Sequence, residues 1–167
     1  GDLLWKGKRL FEDLGCYGCH DTLGFGEDKR RMIGPGLRNI KNKVGARWIT
    51  AWIKDPKGFR PTTLMPDFRL SEEEAQAIAA YLWQHADEKG IYEEMPAFDD
   101  EQLSQGDFLF EQMGCMACHT YEKDAERGFA PNLARISEKI NYGYLVEWIM
   151  NPQGKEPLTR MPSFRMS

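Results

Sequence analysis

The sequence predicts an all-α protein built from two similar units in tandem. The chain of 167 residues repeats itself at a nearly constant spacing over most of its length. Apolar residues recur at helical intervals, and no segment alternates as a half-buried strand requires. An apolar fraction of 41% and an aromatic fraction of 12% suffice for a packed core, which excludes disorder as the main state.

The internal repeat divides the chain into three parts. Identical residues recur first at a spacing of 99 residues, starting from Gly7, Leu10, Phe11, Glu12, Gly15, Cys16, Cys19 and His20. After a three-residue deletion they recur at a spacing of 96, starting from Pro35, Leu37, Ile40, Lys43, Trp52, Ile53, Pro56, Gly58, Pro61, Met65, Pro66, Phe68 and Arg69. The repeat predicts a first unit at residues 1–86 and a second unit at residues 101–167. The acidic stretch at residues 87–100 is the predicted linker.

The first unit is predicted to begin with a helix. Its apolar residues keep helical spacing from Leu3 to Leu14, and Gly15 is a suitable stop signal. A loop rich in glycine and charge follows over residues 20–37. A short helix is predicted at residues 46–54, because the Asp-Pro pair that follows cannot continue it. Residues 57–68 contain one glycine and two prolines and are predicted to form an extended loop.

The last predicted helix of the first unit runs from residue 72 to about residue 86. Ser71 and Glu74 form a capping box at its start, and acidic residues fill its first turn. Its predicted buried face consists of Ala75, Ile78, Ala79 and Leu82. The second unit repeats the first helix at residues 101–113 but has no counterpart of this last helix, since Ser167 corresponds to Ser71 in the repeat.

Charge is distributed unevenly along the chain. The net charge of −4 comprises +3 in residues 1–86, −5 in residues 87–100 and −2 in residues 101–167. Nucleic acid is not an expected partner, because it would require a continuous basic surface. The basic residues in the middle of the first unit either form a solvated face or dock an acidic protein surface. They are Lys29, Arg30, Arg31, Arg38, Lys41, Lys43 and Arg47.

The four cysteines all lie in two copies of one motif, Cys16-Tyr17-Gly18-Cys19-His20 and Cys115-Met116-Ala117-Cys118-His119. A four-cysteine zinc site expects roughly 15–20 residues between its two pairs, whereas 95 residues separate them here. A dithiol redox centre needs a βαβ context that this sequence lacks, and it does not explain the histidine.

Covalent haem attachment accounts for every fixed residue of the motif. The two thiols lie about one helical turn apart and can add to the two vinyl groups of one porphyrin, while the adjacent histidine ligates the iron. The two motifs use every cysteine and two of the three histidines, and they therefore predict two covalently attached haems c. No disulfide is expected, because all four thiols would form thioethers.

The order of these motifs resembles that of the class I c-type cytochromes. The resemblance rests on a helix ending in Gly-Cys-x-x-Cys-His, a Gly-Pro-x-Leu loop, a Met-Pro loop and a final amphipathic helix. It covers the whole first unit and most of the second. It implies an all-α fold of two tandem class I cytochrome c domains, each wrapped around one haem.

The sixth ligand of each iron is a methionine, a histidine, a lysine or none of these. Met65 and Met161 occupy matching places in the repeat and lie in proline-flanked loops rather than on an apolar helix face. We therefore expect the axial pairs His20/Met65 and His119/Met161, with core filling as the alternative role of a methionine. His85 is the rival ligand for the first iron, although its place near a helix end also suits a capping role.

The resemblance also implies four supporting residues. Pro35 and Pro131 match the family proline whose carbonyl accepts a hydrogen bond from the proximal histidine and fixes its ring. A simple turn is the alternative role for each proline. Trp52 and Trp148 are expected to line the haem crevice, to pack in the core, or to do both.

Two saturated irons favour electron transfer over catalysis. The predicted function is a one-electron relay between a redox protein donor and acceptor in a respiratory-type chain, where a membrane respiratory complex is one expected partner. A dihaem peroxidase is an alternative, but such enzymes are longer and need an open iron. A haem-based gas sensor is another, although the sequence shows no signalling domain.

The resemblance has consequences for the cellular compartment. Haem is attached outside the bacterial cytoplasm, so we expect a periplasmic or outward-facing protein. The longest apolar run, Ala77 to Trp83, has seven residues, whereas a membrane-spanning helix needs roughly 20. Any export signal or membrane anchor is therefore expected to have been removed, or to lie in another segment or in a partner.

The absent last helix leads to a further expectation. In the family the last helix crosses the first, where Gly7 permits close approach and Phe11 packs against an aromatic residue, here Tyr81. The second unit keeps Gly106 and Phe110 without that helix. We therefore expect this chain to be a fragment. The first helix of the second unit should expose an apolar face, or be covered by another chain or by the first unit.

Overall fold

The computed structural model describes residues 1–21, 33–87, 95–122, 125, 129–157 and 159–165. In these residues the helices are α1 (Asp2–Asp13), α2 (Ile40–Lys43), α3 (Ala46–Lys54), α4 (Pro56–Phe59), α5 (Glu72–His85), α6 (Asp100–Gln112), α7 (Ile136–Lys139), α8 (Tyr142–Met150) and α9 (Pro152–Lys155). One-turn 3₁₀ helices at Cys16–Gly18 and Cys115–Ala117 follow α1 and α6. The described residues contain no β-strand, and the predicted all-α fold is confirmed.

Local sequence signals explain the limits of the long helices in the first unit. Gly15 adopts a left-handed conformation with φ of 69°, which ends the run of α1. The helix α3 covers the predicted residues and stops before the Asp-Pro pair. At the start of α5, the Ser71 hydroxyl accepts from the backbone N–H of Glu74, and the Glu74 carboxylate accepts from the backbone N–H of Ser71. The predicted capping box is therefore confirmed.

Three local predictions were incomplete. The helix α4 occupies part of the predicted extended loop, because the Asp55 carboxylate accepts from the Gly58 N–H at 2.8 Å and Pro56 takes the first helical position. The helix α2 lies where no element was predicted, since a single turn is too short to produce a periodic pattern. The helix α6 starts within the predicted linker, where Asp99 caps it and Asp100 is its first residue.

The core of the first unit forms where α1 crosses α5. A Cβ on Gly7 would lie 2.0 Å from the carbonyl oxygen of Ala77 and 2.9 Å from the Cβ of Tyr81, so the crossing requires glycine. Phe11 is 1% exposed, and its ring centroid lies 5.7 Å from that of Tyr81. The expected crossing is therefore confirmed. The predicted buried face of α5 is confirmed as well, in Ala75, Ile78, Ala79 and Leu82.

The helix α6 carries the equivalent residues but none of its residues is buried. A Cβ on Gly106 would meet no atom within 4 Å. Leu103 is 54% exposed, Phe108 62% and Leu109 45%. Phe110 is half-buried against Tyr121, with ring centroids 6.0 Å apart. The expected uncovered apolar face is therefore present on α6.

These two glycines make a matched pair for a stability test. We expect Gly7→Ala to destabilise the first unit by about 1–3 kcal/mol, because the new methyl group would overlap the backbone of α5. We expect Gly106→Ala to stabilise α6 by roughly 0.5–1 kcal/mol, because alanine is the better helix former and its methyl group meets no neighbour. Denaturant unfolding of each variant measures both changes. Equal effects of the two substitutions would contradict the crossing geometry.

The two units meet through equivalent residues of the repeat. Val44 and Ile140 pair in an isolated antiparallel bridge. The backbone N–H of Asn141 donates to the Lys43 carbonyl at 3.1 Å. The Asn141 side-chain amide donates to the carbonyls of Lys41 and Asn42, at 3.1 Å and 3.0 Å. This contact brings α2 of the first unit against the start of α8 in the second. No helix in the described part of the chain is long and apolar enough to cross a membrane.

Candidate functional site

A cavity of about 820 Å³ is lined mainly by residues of the first unit. Both cysteines of the first motif line it, together with His20, Met65, Pro35 and Trp52. Core side chains form much of the remaining wall, among them Phe11, Leu14, Ile40, Val44, Ile49, Ile53, Ile78 and Leu82. Its volume lies within the range of cofactor sites, roughly 300–1,000 Å³.

The first motif folds as a tight turn after α1. The backbone N–H groups of Cys19 and His20 both donate to the Cys16 carbonyl, at 3.2 Å and 3.0 Å. Neither thiol forms a disulfide. Burial raises the pKa of the Cys16 thiol. Both thiols are therefore free for thioether bonds to one porphyrin.

The imidazole of His20 is held in one orientation. Its Nδ1 lies 2.8 Å from the Pro35 carbonyl oxygen, which can only accept, so Nδ1 carries the proton. Burial lowers the pKa of His20, although this hydrogen bond opposes the effect. A neutral ring with an unprotonated Nε2 is the form that ligates a metal. A Cβ on Gly34 would lie 2.4 Å from His20 Cε1, so a glycine lets the loop approach the ring.

Met65 lies on the loop that follows α4. The Trp52 Nε1–H donates to the Met65 sulfur at 2.8 Å. The Met65 backbone N–H donates to the Thr63 hydroxyl at 3.2 Å. Trp52 itself stacks on Trp48, with ring centroids 5.1 Å apart. Trp52 therefore lines the cavity and packs against neighbouring aromatic residues.

The second unit repeats the same contacts at equivalent positions. His119 Nδ1 lies 2.8 Å from the Pro131 carbonyl oxygen. The Trp148 Nε1–H donates to the Met161 sulfur at 2.8 Å. Cys115 and Cys118 are also free of disulfides. In each unit the structure thus pairs the predicted histidine with its proline and the predicted methionine with its tryptophan.

His85, the rival ligand, lies at the end of α5. Its Nδ1 is 2.9 Å from the carbonyl oxygen of Tyr81, one turn earlier in the helix. The described lining of the cavity does not include it. This geometry matches the capping alternative.

Neither alternative for the basic residues, a solvated face or a docking face, describes Lys43. Its side chain is half-buried, and its ammonium lies 5.9 Å from the Tyr144 ring centroid and 5.7 Å from that of Trp148. Contact between the two units thus partly shields Lys43 from solvent. Lys29, Arg30 and Arg31 lie outside the described residues.

Sequence reasoning missed that the second unit contributes to the first cavity. Residues from the second unit that line it are Ala125, Ala130, Pro131, Asn132, Ala134, Arg135, Ile136 and Lys139. A repeat pattern describes each unit separately and carries no information on how the units pack. Two free thiols, an oriented imidazole and a thioether therefore share one largely apolar cavity, and this donor set fits covalently bound haem.

A pair of substitutions tests the tryptophan–methionine contact. An N–H group that donates to a ligand sulfur withdraws electron density from it and favours Fe(II). We expect Trp52→Phe to lower the potential of the first haem by roughly 20–60 mV, equivalent to about 0.5–1.5 kcal/mol for one hydrogen bond. Trp148→Phe should lower the second potential instead. Redox titration of both variants measures the shifts, and the absence of any shift would contradict the proposed ligand role of methionine.

The comparisons with known proteins agree with this chemistry. The family model for cytochrome c matches residues 5–86. The chain is similar to cytochrome c oxidase subunit 2 of Alkalihalophilus pseudofirmus, with 33% identity over 86 residues, which are 46% of this chain and 24% of that protein. It is also similar to a nitric oxide reductase subunit of Stutzerimonas stutzeri, with 32% identity over 83 residues, which are 46% of this chain and 54% of that protein.

The chain matches about half of one curated relative and a quarter of the other. No solved structure matches it significantly. The family match coincides with the unit whose cavity contains the thiols, the oriented histidine and the methionine. Residues 5–86 therefore form a cytochrome c domain of the class I c-type cytochromes.

Proposed function

We propose that this protein is a dihaem cytochrome that relays single electrons between a redox donor and a redox acceptor. A cytochrome c domain implies a covalent haem and electron transfer, and the proposal adds a second haem and a second step. Each haem would supply an iron that cycles between Fe(III) and Fe(II). The proposed domains are residues 1–86 and 101–167, joined by residues 87–100.

The protein's own residues would hold each iron in a saturated, low-reorganisation site. His20 and Met65 are the proposed axial ligands in the first unit, and His119 and Met161 in the second. The carbonyls of Pro35 and Pro131 would keep the histidine rings oriented. With both axial positions filled by the chain, no position remains for a substrate. This supports electron transfer rather than catalysis by this chain.

One observation carries the relay proposal. Pro131 lines the cavity of the first unit, and its carbonyl oxygen lies 2.8 Å from Nδ1 of His119. The proposed ligand of the second iron is thus one hydrogen bond and one residue away from the first cofactor cavity. Such closeness favours electron exchange between two sites within one chain.

The relatives suggest the setting of this relay. The names of two similar proteins describe subunits of cytochrome c oxidase and of nitric oxide reductase. We therefore infer that the chain works in a respiratory-type electron-transfer chain, as a domain or subunit of a larger assembly or beside one. Its donor and acceptor would be redox proteins, and its compartment periplasmic or outward-facing.

Spectroelectrochemical titration of the purified holoprotein tests the proposal. We expect two covalent haems per chain, two one-electron transitions, and the weak red absorption of methionine–Fe(III) ligation for both sites. Neither cyanide nor carbon monoxide should bind at neutral pH on the timescale of mixing. A single haem, bis-histidine spectra, or rapid turnover of peroxide at an open iron would each contradict it.

A further inference from the structure

The cavity of the first unit has an unbalanced charge. Four cationic side chains line it: Lys43 and Arg60 from the first unit, and Arg135 and Lys139 from the second. No aspartate or glutamate is among the described lining residues. Aromatic rings stabilise a buried cation only in part, and an anion close to it offsets most of the cost of losing solvent. The charge pattern therefore calls for an anionic group inside the cavity.

Among these four cations, the charge of Lys139 is the least compensated by neighbouring groups. It reaches from α7 of the second unit, and its ammonium lies 5.1 Å from the Trp48 ring centroid and 6.0 Å from that of Trp52. Burial, together with the charges of Lys43 and Arg60, lowers the pKa of Lys139 to about 8. Among the described residues, no carboxylate lies within ion-pair distance of it.

Two neighbouring observations point the same way. The indole N–H of Trp48 is buried and has no hydrogen-bond acceptor among the described residues. Trp48 and Lys139 are therefore neighbouring hydrogen-bond donors that find no acceptor in the described part of the chain. Arg135 differs, because its guanidinium pairs with Glu138 at 2.7 Å and covers the Phe59 ring at 4.3 Å. The missing anion thus belongs beside Lys139 rather than beside Arg135.

The expected cofactor provides such an anion. A haem carries two carboxylate side chains, and they lie on a part of the ring that the thioether bonds to Cys16 and Cys19 leave free. We propose that Lys139 of the second unit binds a haem carboxylate in the first unit. This proposal rests on the proposed function, since it requires a haem in the first cavity.

The proposal makes the second unit part of the first haem site. Lys139 would be a positioning residue, because it acts on the iron through the carboxylate and through the local potential. A positive charge near a haem favours the reduced, less positive iron. Loss of that charge should therefore lower the potential of the first haem and leave the second potential nearly unchanged.

Lys139→Gln is the test variant, and Lys139→Arg is the conservative variant that keeps the charge. Lys155→Gln is the matched control. Lys155 also belongs to the second unit and its ammonium lies 5.7 Å from the Tyr144 ring centroid, but it is not among the described residues that line the cavity. The potentials of both haems are measured by spectroelectrochemistry, and the first is assigned by its shift in the Trp52→Phe variant. Redox-difference infrared spectra with carboxylate-labelled haem provide the second readout.

We expect Lys139→Gln to lower the first potential and shift the labelled carboxylate bands. We expect Lys139→Arg to restore both, and Lys155→Gln to change neither. Equal behaviour of the Lys139→Gln and Lys155→Gln variants would overturn the proposal, as would a potential shift without any change in the labelled bands. If Lys139→Gln does not fold, Lys139→Met, which also removes the charge, decides between these outcomes with the same readouts. A wild-type protein without two haems would instead overturn the proposed function itself.

Discussion

A chain that lacks both thiols of the first unit, through Cys16→Ser and Cys19→Ser, is expected to carry one haem instead of two and to lose cooperative unfolding of that unit. The reason is the size of the cavity, about 820 Å³. If this cavity stayed dry and empty, it would lower the free energy of unfolding by about 20 kcal/mol, at roughly 24 cal/mol per Å³ of cavity. That exceeds the roughly 5–15 kcal/mol by which a whole domain is stable. The haem-free unit must therefore collapse or fill with water.

Haem content by absorbance and intact mass, together with calorimetric unfolding, measures this result. The matched control is Cys115→Ser with Cys118→Ser, which should remove the second haem and preserve the crossing of α1 and α5. A double variant of the first unit that still melts cooperatively at the original temperature would show that the cofactor is not a main part of its core.

Met65→Ala is expected to open the first iron and to lower its potential on the order of 0.1 V, within the roughly 0.8 V range that axial ligands control. A thioether favours the reduced iron, so its loss favours the oxidised form. The same change should allow carbon monoxide to bind the reduced first haem. Redox titration and carbon monoxide difference spectra measure both effects.

The control for this substitution is Met150→Ala. Met150 is 43% exposed on α8 and has no place in either proposed ligand set. Its variant should keep both potentials and bind no carbon monoxide. If Met65→Ala retained the methionine–Fe(III) absorption of two sites, another residue would have to be the sixth ligand of the first iron.

The uncovered face of α6 shows how equivalent residues of the repeat acquire different environments. Gly7 and Gly106 occupy the same place in the repeat. Gly7 packs closely against α5, whereas a Cβ added to Gly106 would have no neighbouring atom within 4 Å. Phe11 is 1% exposed, whereas its counterpart Phe110 is half-buried. Leu103 and Leu109 are exposed on the same side of α6 as Gly106 and Phe110, and this side has the character of an association surface.

The sequence by itself determined the helical class, the long helices of the first unit and the cytochrome c chemistry. Each of these depends on residues close together in the chain: Cys16, Cys19 and His20 form one turn, and Ser71 and Glu74 form one cap. Local spacing carries such information because a helix imposes fixed distances between neighbouring residues. The same argument explains why the single-turn helices α2 and α4 gave no signal.

Only the tertiary structure decided that the second unit forms part of the first cavity. Lys43 and Lys139 look like ordinary surface lysines in the sequence, yet each lies over aromatic rings of the other unit. The donation from Trp52 to the Met65 sulfur likewise spans α3 and a distant loop. Contacts of this kind depend on how separate elements pack, because burial and orientation are set by partners far away in the chain rather than by neighbours along it.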